Sequence, residues 1–190
     1  MSTERQAERG FTLVELMATL VIMAIVITIG VPGLTDFIAS QRVRTTASDL
    51  VADMALARAE AIKESRQAIM ERVAGATSTW KDGWRICVDL NGNGTCEAAE
   101  VRKATTPVPG RTAVCATTAD LSDRIVFRPD GRVLRATAPG ANDGIKVSDD
   151  NGDSATSNDR IRLIFLGISG RARMEIQDND TANPTRGTAC

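Results

Sequence analysis

Three short stretches of this chain place polar side chains at spacings that could do chemistry. DLNGNGTCEAAE sets Asp89, Asn91, Asn93, the Thr95 carbonyl and Glu100 at the spacing of a calcium loop, with Gly94 at the sharp turn. SGRARM sets Arg171 and Arg173 two residues apart; on a strand they would project from one face about 6.6 to 6.8 Å apart, with Met174 and Ile176 on the other. FTLVEL carries a lone carboxylate, Glu15, inside an apolar run. None of the three contains a histidine, and the whole chain has no histidine and no tyrosine. That removes Ser/His/Asp and Cys/His catalysis, histidine-ligated zinc and phenolic acid/base chemistry together. A non-catalytic protein without a cofactor is expected.

The loop has two readings. Asn-Gly is also a common tight-turn dipeptide, only Asp89 and Glu100 of the five are carboxylates, and the segment follows a strand instead of a helix. A structural turn without a metal is expected, with calcium as the alternative. The four cysteines, Cys87, Cys96, Cys115 and Cys190, include no CxxC pair and point to disulfides in an oxidising compartment. Of the three possible pairings the favoured one joins Cys87 to Cys96 across the glycine-rich loop and Cys115 to Cys190.

Two adjacent guanidinium groups suit phosphate, and Arg160 and Arg162 on the preceding strand could extend the patch. The competing reading is a solvated strand face with Glu175 as ion-pair partner, although such pairs contribute only about 0 to 1 kcal/mol. GRVLR at 131–135 is a near echo of the motif, with one residue too many. The formal net charge is −1, so any polyanion must be held by a local patch. Aromatic residues are scarce, which predicts backbone-directed, sequence-independent and salt-sensitive binding.

These stretches need elements to position them. The run from Phe11 to Val31 has Glu15 as its one ionisable residue, and at 1.5 Å per residue a helix of that length measures roughly 31 Å, enough to span a bilayer. A carboxylate there costs about 2.5 to 3.5 kcal/mol on insertion scales and calls for a positive partner. Cleavage after Gly10 would supply one, because the new amine of Phe11 lies one helical turn from Glu15. Beyond Pro32, apolar residues from Phe37 to Ala61 recur at three- and four-residue steps, predicting an amphipathic helix over 32–66. From Gln67 the period becomes two. WRICVDL alternates Trp84, Ile86, Val88 and Leu90 against Arg85, Cys87 and Asp89; RIVF turns through PDG into RVLR, and IRLIFL through GISG into RARMEIQ. An antiparallel sheet over 67–190, packed on the amphipathic half-helix, is expected, which makes the fold class α+β.

RGFTLVEL resembles the class III signal of type IV pilins and pseudopilins, in which a prepilin peptidase cuts between the glycine and the phenylalanine and methylates the new amine. The resemblance implies a leader over 1–10, a filament-core and transmembrane helix over 11–31, ordering of subunits by Glu15 and a helix bend at Pro32. ARAEAIK and WKDGWRICVDLNGNGTCEAAE resemble the GspH/FimT family of minor pilins and pseudopilins. That likeness implies a single-pass inner-membrane protein with a periplasmic head, which assembles with other minor and major pilins or pseudopilins into a filament at the cell surface. Family members that capture double-stranded DNA for natural transformation carry a G-R-x-R motif, matched here by Gly170, Arg171, Ala172 and Arg173. A type II secretion pseudopilin is the alternative to a type IV pilus subunit.

Overall fold

The computed structural model describes residues 11–75, 79–135, 143–149 and 161–176, the side chains of residues 29–33 and 36 excepted. Gly10, Arg160 and Cys190 therefore lie outside the described residues. The chain divides into two compact units, Met1–Ile38 and Ala39–Cys190.

A single helix, α1, runs from Leu13 to Glu64 and continues across Pro32. In the first unit its apolar side chains are exposed: Leu13, Val14, Met17, Leu20 and Ile22 all keep more than half of their surface. Thr12 caps its start, its hydroxyl accepting the Glu15 N–H at 3.3 Å. The helix ends in a Schellman turn, with Ser65 at φ 52°, Ser65 N–H donating to Ile62 and Arg66 N–H to Ala61.

In the second unit α1 contributes a stripe at alternating steps of four and three, namely Val43, Ala47, Leu50, Met54, Ala57 and Ala61, each at most 1% exposed. Two antiparallel sheets share the core with this stripe. The first contains β1 (Ala68–Arg72), β2 (Trp84–Val88), β3 (Val101–Ala104), β5 (Arg124–Phe127) and β6 (Val133–Leu134), in the order β3-β2-β1-β5-β6. The second contains β4 (Thr112–Ala116), β7 (Gly144–Asp149), β8 (Ile161–Leu166) and β9 (Ala172–Ile176), in the order β4-β7-β8-β9. The α+β class and both expected hairpins, β5–β6 and β8–β9, are present. The single sheet expected from the alternation is two. Between β3 and β4 the chain reads TTPVPG, and two prolines without N–H groups cannot extend a ladder, so the chain leaves one sheet and begins the other.

Both tryptophans of WKDGW are buried and hydrogen-bonded. Trp80 Nε1 donates to the Leu121 carbonyl at 2.8 Å, and Trp84 Nε1 donates to Asp53 on α1 at 2.8 Å. Asp53 is 2% exposed and also accepts Lys103 Nζ from β3, so one carboxylate ties the helix to two strands. Replacing Asp53 with Ala would leave the Trp84 N–H unsatisfied in the core. We expect a loss of about 1–3 kcal/mol in urea unfolding of the full chain in detergent, and Asp53→Asn, which keeps one acceptor, should recover part of it.

Candidate nucleic-acid interface

The turn of the β8–β9 hairpin holds the motif. Gly170 N–H donates to the Gly167 carbonyl at 2.9 Å, Gly167 N–H donates to the Arg171 carbonyl at 3.3 Å, and Gly170 sits at φ +73°. Its glycine is required twice over. Only glycine adopts that φ without strain, and a Cβ there would lie 2.1 Å from the carbonyl oxygen of Gly131. Gly131, at φ +75°, closes the β5–β6 turn. Arg58 of α1 clamps the junction, its Nε donating to the same Gly131 oxygen at 3.0 Å. Val133 N–H donates to Ile168 O at 3.0 Å, completing the link between the turns.

Arg171 and Arg173 are both exposed, but they stand in different surroundings. Arg171 precedes the strand and lines an open groove of ≈ 350 Å³ with Arg58 and Ile62 of α1, Gly170 and Ala172. Arg173 pairs across the sheet with Phe165, its guanidinium carbon 5.4 Å from the ring centroid, and forms a 2.8 Å ion pair with Glu175. The ion pair anticipated from the sequence therefore accompanies the arginine pair and offsets one of its charges. Arg162 does not extend the patch. It shares the parity of Ile164 and Leu166, both in the core, whereas Phe165 and Arg173 stand on the opposite face of the second sheet. Arg160 lies outside the described residues.

The loop after β2 folds on its own side chains. Cys87 and Cys96 form the expected disulfide, while the pairing of Cys115 with Cys190 lies outside the described residues. The expected alternation fails at the strand end, for Asp89 is 4% exposed and Leu90 is 42% exposed. The cause is electrostatic: the Asp89 carboxylate accepts N–H bonds from Gly92, Asn93 and Gly94 at 2.7 to 3.1 Å. Glu100 is buried and accepts the Leu90 and Glu97 N–H groups. Asn93 Oδ1 accepts from Thr95, and the amides of Asn91 and Asn93 both donate to Glu97. These groups thus order the turn itself, and among the described residues no group of three acidic, cysteine or histidine side chains is placed to hold a metal. On β7, burial lowers the pKa of Lys146 below the ordinary lysine value.

A long helix whose amphipathic half lies under two antiparallel sheets, with a disulfide-closed loop after β2, defines a pilin-like head. Its family is given by two matches. The family described as "Type II transport protein GspH" matches residues 46–167, and the prokaryotic N-terminal methylation motif matches residues 5–31. The chain belongs to the GspH family and carries a prepilin-type amino terminus. No curated protein sequence matches it. Two crystal forms of the type IV minor pilin FimU from Pseudomonas aeruginosa PAO1 share the fold. The P21 form has 15% identity and a TM-score of 0.53 over 73% of this chain and 90% of that one. The P65 form has 17% identity and 0.52 over 70% and 91%.

Glu15 is the lone ionisable residue between Leu13 and Thr28. Among the described residues no helix is long and apolar enough to cross a membrane; the span expected over 11–31 includes residues 29–31, whose side chains are not described. The clamp role of Arg58 is not legible in the sequence, where it is one of several charged residues between the apolar positions of the helix. The repeated Gly-Arg dipeptides at 131 and 170 were the available signal. Gly170→Ala should lower stability by at least about 1–2 kcal/mol in urea unfolding of the full chain, from the positive φ and the clash with Gly131; an unchanged midpoint would contradict this close approach.

Proposed function

We propose that this protein is a non-catalytic minor pilin of a type IV pilus. A prepilin peptidase removes residues 1–10 and methylates Phe11, the helix over 11–31 holds the protein in the inner membrane with its head in the periplasm, and the protein then enters the filament as a priming or tip subunit. The carrying observation is the methylation motif over residues 5–31 ahead of a GspH-family head. The exposed apolar side chains from Leu13 to Ile27 support the membrane and filament steps, because such a surface gains about 25 cal/mol per Å² when lipid or neighbouring helices cover it. The Phe11 amine then offsets the charge of Glu15, in the same chain or in a neighbour.

The head also contacts double-stranded DNA through its exposed arginines. Arg171 has no acidic partner among the described residues, and the contact is with the phosphate backbone, so it weakens as salt rises. A second reading, a minor pseudopilin of a type II secretion system, draws support from the family's own description as a type II transport protein. Deletion of the gene separates the two: lost piliation supports the pilus and lost secretion the pseudopilin. Intact mass spectrometry of the membrane-extracted protein should find a chain starting at N-methylated Phe11; a retained Met1 start would contradict the processing on which both readings rest.

A further inference from the structure

The near echo GRVLR lies far from GRAR in sequence, yet the fold seats their two glycines against each other. Gly131 and Gly170 are both buried, both at positive φ, and the Gly131 oxygen occupies the space where a Gly170 Cβ would be. The residue after each glycine is an exposed arginine, Arg132 or Arg171. Covalent geometry across the contact puts their Cα atoms within roughly 10 Å. Neither guanidinium has an acidic partner among the described residues. The nearest carboxylate in sequence, Asp130, accepts the Arg132 backbone N–H at 3.0 Å. Arg173, by contrast, is paired with Glu175.

We propose that Arg132 and Arg171, presented by the two joined turns, form a two-guanidinium site that grips neighbouring phosphates of a DNA strand, with Arg132 as a contact residue outside the G-R-x-R motif. The site rests on the DNA-binding reading given above and changes its composition. The partner of Arg171 is the arginine of the other hairpin; the Val133 N–H bond to Ile168 O links the two hairpins, and Arg58 fixes the Gly131 carbonyl at the junction. Two uncompensated guanidinium groups on rigid turns suit a polyanion with repeated single charges, and the absence of an aromatic residue from either turn predicts indifference to base sequence.

The test measures how the affinity of the detergent-purified full chain for a short mixed-sequence DNA duplex changes with salt, for wild type, Arg132→Ala, Arg132→Lys and Arg171→Ala. Removing one phosphate-binding cation should flatten the slope of log K against log salt by about 0.9, so Arg132→Ala and Arg171→Ala should each lower it by about that amount, and Arg132→Lys should restore it. Thermal unfolding should be unchanged in Arg132→Ala, because its side chain is exposed. If wild type binds and Arg132→Ala keeps both affinity and slope while Arg171→Ala loses them, the composite site is overturned and the DNA reading stands. If wild type does not retard DNA at low salt, the DNA reading fails and this site with it. Binding to anionic phosphatidylglycerol vesicles in place of DNA would likewise overturn it.

Discussion

One stripe on α1 must satisfy two sheets at once, and the head depends on that constraint. Val43, Ala47, Leu50, Met54, Ala57 and Ala61 form a narrow apolar surface, and residues of both sheets pack in the same core with it. Alanine at three of the six positions lets the strands approach closely, and Leu50 and Met54 fill the space between. Asp53, beside the stripe, is buried with them, and its bonds to Trp84 and Lys103 supply the specificity that apolar packing lacks. The two sheets meet again at the Gly131–Gly170 junction, clamped by Arg58 from the same helix.

The electrostatics follow from this arrangement. A chain with formal net charge −1 offers no general attraction for a polyanion, so recognition requires like charges to be concentrated. The joined Gly-Arg turns would meet that requirement under the site proposed above, with both arginines exposed to solvent and no charge placed in the core. The loop after β2 shows the opposite use of charge. There Asp89 and Glu100 are withdrawn from solvent and satisfied by backbone N–H groups, which orders a glycine-rich segment already closed by the Cys87–Cys96 disulfide.

Much of the fold was legible because it rests on periodicity. The helical stripe, both hairpins, the α+β class and the disulfide across the loop could be read from apolar spacing and cysteine placement. The change from one sheet to two was less visible, since its signal is the pair of prolines in TTPVPG and not any break in alternation. Arg162 escapes the same reading for a related reason: its neighbours in sequence cannot reveal that it shares a face with Ile164 and Leu166 until the strand's inner face is known. Asp89 departs from its expected outward face because alternation stops where a carboxylate is drawn inward by three N–H groups. The meeting of Gly131 with Gly170 is a tertiary contact, and only the repeated dipeptide hinted at it.

The first unit obeys a different rule, because among its described residues the apolar side chains from Leu13 to Ile27 stay exposed, and Glu15 stands among them as the single ionisable residue from Leu13 to Thr28. A carboxylate in such surroundings calls for a compensating charge, and under the processing proposed above the Phe11 amine would supply it. The most direct measurement is the fraction of Glu15→Gln protein recovered in sheared filaments, relative to wild type at equal membrane abundance. The account predicts correct membrane insertion with a loss of filament incorporation of tenfold or more, on the order of 1.4 kcal/mol for one unmade charge pair. Incorporation equal to wild type would contradict it.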